Sequence, residues 1–296
     1  MAQMSWNEAC QLDPTLLSLS SDISEPIRAE TLSGLSNVNW KLSFATEPPL
    51  VWRPASAMSE AFSVSRIQEY QILKLLEHQS TLLLTPKARL VNHYGLLVEW
   101  LEGDEIDAIS DETLLRLAVE IHQIDLSKTP ILPFSYTARV DHYWLKLHDS
   151  PHITPQITQL YKQLRNLPFA DLVPATLCHF DLGCHNLIRC GAGYQVIDWE
   201  YASLADPRIE LAMLVETQQT ELATFVARYC TLRNIAEIDD WIAAVKAWIP
   251  RVRLMAMLWY YLAHQYWQTE QHLNNANQLL AQLCSGDHCV LNPEKQ

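Results

Sequence analysis

At 296 residues the chain is long enough for one large domain or two lobes with separate cores, and its 49% hydrophobic content marks a folded globular protein. The apolar runs are short and interrupted, and none has the length of a membrane span. A formal charge of −13 argues against nucleic-acid binding, which needs a dense basic surface, and either suits a cationic small molecule attracted to a negative cleft or only maintains solubility.

Residues 1 to about 25 are expected to form a weakly patterned helical extension. Glu30 to Phe44 reads as two strands about a turn, and Leu50 to Arg53 as a strand stopped by Pro54. From Ser59 to Gln79 the apolar residues Ile67, Tyr70, Ile72, Leu73, Leu75 and Leu76 recur with helical period. Ala88 to His93 and Gly95 to Trp100 are strand-like, with a turn at Tyr94-Gly95. The acidic stretch from Leu101 to Glu105, with Gly103 inside it, is read as a lobe boundary. The expected division is therefore a nucleotide-binding lobe over 1–100, including the extension, and a catalytic and substrate-binding helical lobe over 101–296.

Asp111 and Glu112 open a helix reaching about Ile124, with both acids at the positive end of its dipole. Residues 155–166 form another helix, and 176–179, 187–190 and 194–198 are short strands. From Pro207 onward helices dominate, with a break expected near Pro250. The fold class is α+β: a small antiparallel β-sheet lobe with one long helix, followed by a larger, mainly helical lobe.

The three short strands carry the informative residues. Asp181 is followed five positions later by Asn186, and Asp198 ends the next apolar run, the spacing of a kinase catalytic loop and its metal-binding aspartate. In that chemistry one carboxylate, Asp181, orients the attacking hydroxyl. An amide oxygen on Asn186 and a carboxylate on Asp198 hold magnesium against the nucleotide phosphates. The gap between Asn186 and Asp198 is about a hairpin long, with Gly191 and Gly193 at the turn. His179 is read as a side chain that braces the loop through the backbone, and His185 as structural.

Upstream, Arg53 ends an apolar strand and Glu69 lies in the next helix. Such a pair either holds nucleotide phosphates or is an ordinary surface ion pair, and the downstream motif favours the first reading. Gly34, Ser36 and Asn37 form a sparse phosphate-covering turn that matches neither a P-loop nor G-x-G-x-x-G.

With these residues in place, roughly residues 30 to 270 resemble the aminoglycoside phosphotransferase and choline kinase superfamily, which has the bilobal protein-kinase-like fold. The resemblance is carried by His179-x-Asp181-x-x-x-x-Asn186, by Ile197-Asp198-Trp199-Glu200-Tyr201-Ala202, by Arg66-x-x-Glu69, and by Glu99-Trp-Leu-Glu-Gly103. The run from Ile197 to Ala202, and Trp248-Ile-Pro250 before an aromatic helix, are similar to the bacterial thiamine kinase branch. The resemblance implies Asp181 as the catalytic aspartate, Asn186 and Asp198 as magnesium ligands, Arg53 and Glu69 as the phosphate-anchoring pair, and Glu99, Trp100 and Leu101 as the hinge facing adenine. It also implies ATP as co-substrate with Mg2+. Two departures are Glu210, where relatives often have Asp, and the single Gly34 of the nucleotide-covering turn.

The expected acceptor is a small cationic alcohol: thiamine first, choline or ethanolamine next, an aminoglycoside third. A nucleotide-binding pseudokinase is the alternative of another class. A protein kinase is disfavoured, because Asp198 to Pro207 is too short for a peptide-docking activation segment. Trp248, Trp259, Tyr260, Tyr261, Tyr266 and Trp267 crowd one helical region, where most are expected in the core and Trp259 is the candidate for the acceptor pocket. Glu200 and Glu216 are candidate substrate carboxylates. No nucleic-acid or membrane partner is expected. The N-terminus shows no secretory pattern, so a cytoplasmic location is the default, and oligomeric state is left open. Seven scattered cysteines do not suggest a disulfide framework, and the Cys284 to Cys289 cluster offers too few ligands for a metal.

Overall fold

Strand alternation decides how the first part of the chain packs. The computed structural model describes residues 3–32, 38–79, 84–126, 130–168, 173–191 and 193–285. By contacts these divide into two compact units: Met1–Leu132 with His179–Ser203, and Pro133–Cys178 with Leu204–Gln296.

In the first unit β1 (Gln3–Met4) precedes α1 (Trp6–Leu12), which opens with a capping box between Ser5 and Glu8. A 3-10 helix over Pro14–Leu19 follows. The extension thus contributes a strand as well as helix, and β1 joins the sheet by pairing with β2 (Arg28–Leu32). Then come β3 (Asn39–Ser43), β4 (Leu50–Pro54), α2 (Ala57–Ala61), α3 (Arg66–Glu77), β5 (Ala88–Asn92) and β6 (Gly95–Glu99). The six-stranded sheet has the order β1-β2-β3-β4-β6-β5, with antiparallel pairing throughout.

Trp40, Leu42, Trp52 and Leu97 pack with Trp6, Ala9, Leu16 and Leu19 of the extension in one buried cluster. The indole N–H groups of Trp40 and Trp52 donate to Asp13 Oδ2 and Thr15 Oγ1, both at 2.9 Å, so burial leaves neither donor unsatisfied. Because side chains alternate along a strand, Arg53 points to the opposite face from Trp52, and there it meets α3.

The elements add detail to the expected ones at three places. Pro54 ends β4, as expected, but is itself its last paired residue, opposite Gly95. A proline needs no N–H at a strand's final position. The helix expected over Ser59–Gln79 is two helices, because Ser63 adopts a left-handed φ of 61° and Ser65 then caps α3. The expected boundary at 101–105 contains β7 (Asp104–Glu105). After α4 (Asp111–His122), the chain returns to this unit through β9 (Leu187–Cys190) and β10 (Gly193–Val196), and β7 pairs with β9.

The second unit comprises α5 (Tyr136–Leu147), α6 (Pro155–Arg165), β8 (Thr176–Cys178), β11 (Ser203–Ala205), α7 (Pro207–Gln218), α8 (Leu222–Arg233), α9 (Ile238–Trp267) and α10 (Glu270–Ser285). The helix α9 packs against α5, α6, α7, α8 and α10. The break expected at Pro250 does not occur: α9 runs through it. Proline removes one backbone donor there, and Arg251 Nη1 donates to the Ala247 carbonyl at 2.9 Å in that turn. Burial of Val245, Trp248, Ile249, Val252 and Leu254 on either side keeps the helix continuous. Among the described residues the cysteines are free thiols, and no helix is long and apolar enough to cross a membrane.

Candidate active site

The hairpin of β9 and β10 builds the site. Its register sets Leu187 opposite Val196, and the Ile197 N–H donates to the Asn186 carbonyl at 3.0 Å, so Asn186 and Asp198 leave the hairpin side by side. Gly191, at φ 58°, supplies the left-handed residue of the turn. Gly103 gives β7 its close approach: a side chain there would collide with the Arg189 carbonyl on β9.

His179 ties the third segment in. Its Nδ1 accepts the Asp181 N–H at 3.3 Å, which leaves the proton on Nε2 to donate to the Ile197 carbonyl at 3.0 Å. The ring is fully buried and meets Trp199 edge-on at 4.7 Å. Asn186 donates both amide hydrogens to Asp181, to the carbonyl at 2.8 Å and to Oδ2 at 2.9 Å. Its Oδ1 is thereby left as the atom with lone pairs to offer.

His185 reaches Asp181 Oδ1 at 3.2 Å. That hydrogen bond raises the His185 pKa, against the effect of burial. Asp181 itself is 43% exposed, reachable from solvent while held on both oxygens. Two backbone positions beside these groups are left-handed, Phe180 at φ 64° and Asp198 at φ 62°, conformations that cluster where a structure over-determines its site.

Arg53 joins the cluster from β4. Its Nε lies 2.8 Å from Glu69, and its Nη2 contacts Asp198 and, at 3.1 Å, Glu200. Burial disfavours the guanidinium charge, but Asp198, Glu69 and Glu200 together hold its pKa above the ordinary arginine value. The Asp198 carboxyl is likewise opposed by burial, yet Arg53 and Arg66 keep it below the usual range. Glu200 is pushed up to about 7, by burial first and by the Asp198 charge next. It sits buried between Arg53 and Arg66, not open to an acceptor.

Arg66 is the residue that sequence reasoning left without a role. Its Nη1 bridges Glu69 at 2.6 Å and Glu200 at 3.0 Å, and its Nε donates to the Pro54 carbonyl at 3.4 Å. Its place one helical turn before Glu69 was the available signal.

The remaining expected residues lie as follows. The N–H groups of Glu99 and Trp100 donate to the Lys87 and Pro49 carbonyls at 2.9 and 3.1 Å. The Glu99 carboxylate pairs with Arg89, the Lys41 ammonium lies 3.7 Å over the Trp100 ring, and Leu101 is half-buried. Gly34, Ser36 and Asn37 lie outside the described residues. Trp259 belongs to α9 in the second unit, against Tyr260, Trp267 and His272. Glu216, in the same unit, is paired with Arg253. Of the six aromatics expected mostly in the core, only Trp248 and Tyr261 are buried; Trp259, Tyr260 and Trp267 are half-buried and Tyr266 is exposed, because they fall on the sides of α9 that its packing partners leave partly open.

Residues 29–245, well over half the chain, match the phosphotransferase enzyme family. A thiamine kinase from Escherichia coli (strain 536) is 25% identical over 180 residues, covering 60% of this chain and 63% of that protein. The chain thus spans somewhat less than two thirds of that relative's length. An ethanolamine kinase structure from Plasmodium vivax matches with a TM-score of 0.67 at 15% identity, covering 94% of this chain and 88% of that one. The choline kinase LicA from Streptococcus pneumoniae gives 0.65 at 20% identity, covering 95% of this chain and 100% of that one. This chain shares their kinase-like α+β fold.

Proposed function

Because the chain belongs to the phosphotransferase enzyme family, whose members are small-molecule kinases, we propose that it transfers the terminal phosphoryl group of ATP to the hydroxyl of a small cationic alcohol, thiamine first. The observation that carries this reading is the convergence of Asp181, Asn186 and Asp198 with the buried Arg53–Glu69 pair in one unit. Phosphoryl transfer asks the protein mainly to position groups and neutralise charge, and this cluster holds the parts for both.

Asp181 accepts the hydroxyl proton or orients that hydroxyl, with its carboxylate aimed by Asn186 and His185. Asn186 Oδ1 and the Asp198 carboxylate would hold magnesium, an all-oxygen donor set that this hard cation prefers. Bound there, magnesium neutralises charge on the phosphate oxygens. Arg53 anchors the phosphates, its guanidinium paired with Glu69. That role requires its contact with Asp198 to open as nucleotide binds.

Glu99, Trp100 and Leu101 form the adenine-facing hinge. With the N–H groups of Glu99 and Trp100 already bonded to the protein, Leu101 supplies the donor. Gly34, Ser36 and Asn37 cover the phosphates. A nucleotide-binding lobe over 1–100, a catalytic and substrate-binding lobe over 101–296 and a cytoplasmic setting go with this function. The formal charge of −13 favours a cationic acceptor such as a thiazolium or quaternary ammonium.

Purified protein with Mg·ATP should phosphorylate thiamine in preference to choline, ethanolamine and a panel of aminoglycosides. Transfer to another acceptor corrects the substrate, and transfer to none of them refutes the acceptor class. Asp181→Asn should lower turnover by about 10² to 10⁴ while ATP binding stays measurable, the range for loss of a general base. Equal turnover in parent and variant would remove Asp181 from its role.

A further inference from the structure

Arg53 has more acidic partners than one guanidinium can serve while also holding a nucleotide. It faces Glu69, Asp198 and Glu200 at once. If it turns toward triphosphate oxygens, Glu69 and Glu200 remain as two buried carboxylates, 2% and 4% exposed at the side chain. Uncompensated buried charge is costly, and here it would also repel the incoming phosphates.

A second cation is already in place. Arg66, 2% exposed at the side chain, bridges Glu69 and Glu200 through one nitrogen, independently of Arg53. It is fixed from behind by the Pro54 carbonyl, next to Arg53 in sequence. A neighbouring bond reinforces the bridge: Gln68 Nε2 donates to the Ala202 carbonyl at 2.7 Å, so α3 is fastened at two points to the segment that follows Asp198.

We infer that Arg66 is a positioning residue for phosphoryl transfer, the standing counter-charge that keeps Glu69 and Glu200 together and thereby releases Arg53 to the nucleotide phosphates. The inference rests on the reading of Arg53 as phosphate anchor. It assigns Arg66 no contact with substrate; its effect passes through Arg53. It also makes α3 a fixed element, fastened by the chain's own side chains.

The role has a signature that structural damage lacks, because it depends on the ligand's phosphates. Arg66→Gln should weaken Mg·ATP binding, measured by calorimetry, by about tenfold or more, the order expected for one unit charge acting across a side chain's length at an effective dielectric of about 20. Binding of adenosine, measured by ligand-observed NMR, should stay within about twofold, since no phosphate is present to sense the charge. Arg66→Lys should recover part of the ATP affinity, because an ammonium restores the charge without the planar fork. The neutralised double variant Arg66→Gln with Glu200→Gln removes the stranded charge and should bind Mg·ATP more tightly than Arg66→Gln alone. If Arg66→Gln does not fold, Arg66→Lys carries the test: it should bind Mg·ATP more weakly than the parent while adenosine binding stays within about twofold.

Equal losses for ATP and adenosine, or no loss for ATP, would overturn the inference, as would a double variant that binds Mg·ATP no better than Arg66→Gln alone. Parental protein that does not bind Mg·ATP at all would instead overturn the nucleotide reading itself, and the role of Arg66 with it.

Discussion

Asp198 combines two demands in one residue. Its backbone is left-handed, at φ 62° and ψ 60°, and its carboxylate meets Arg53. The left-handed region costs most side chains about 1 to 2 kcal/mol, while Asn and Asp visit it more readily through local hydrogen bonding. Asp198→Asn therefore removes the charge and keeps the turn, whereas Asp198→Ala removes both. In urea unfolding the Ala variant should be less stable than the Asn variant by about 1 to 2 kcal/mol. Equal midpoints for the two would mean that the left-handed turn places no demand on the side chain. The spacing of Asn186 and Asp198 was legible in the sequence because a single hairpin joins them, and Asp181 because it lies only five positions before Asn186. Arg66 was not, because its partner Glu200 lies 134 residues away and no local pattern connects them.

Helices and strands were legible where one local signal dominated. The apolar period marked α3, and acidic residues at its start marked α4. The break between α2 and α3 was hidden because it rests on the left-handed Ser63, a residue with no strong turn signal. The two-residue β7 was hidden because its partner strand comes more than eighty residues later. Pro250 misled in the other direction, since packing on both sides of α9 outweighs one missing donor.

The contact between α5 and α6 permits a test at this scale. Asp141 on α5 accepts from Tyr161 at 2.6 Å and from Arg165 Nε and Nη2 at 2.5 and 2.6 Å, both on α6. The Arg165 hydrogen bonds, chiefly, hold the Asp141 carboxyl below its ordinary pKa, against burial. A depressed folded-state pKa gives stability that is present above the unfolded value, about 3.9, and lost as pH falls through the folded value. Asp141→Asn should lower the urea midpoint at pH 7, and the gap to the parent should close below about pH 4. A gap that stays constant across that range would show that packing, not the ion pair, joins the two helices.

At the scale of the whole molecule, the chain's order does not follow its compact units. The segment His179–Ser203 belongs with Met1–Leu132, although 46 residues of the other unit separate them in sequence. That segment pairs β9 with β7, and the Val196 N–H donates to the Leu84 carbonyl at 2.9 Å. It also carries Asp198 and Glu200, the carboxylates that meet Arg53 and Arg66. A fragment ending at Leu132 would keep both buried arginines but only Glu69 of their carboxylate partners, and it would leave the edge of β7 unpaired. Buried charge without a counter-ion and an open strand edge both work against a folded state. The fragment 1–132 should therefore lack a cooperative thermal transition by circular dichroism and fail to bind Mg·ATP. If it instead melted cooperatively near the temperature of the full chain, the folding of the first unit would not depend on the hairpin that holds the candidate site.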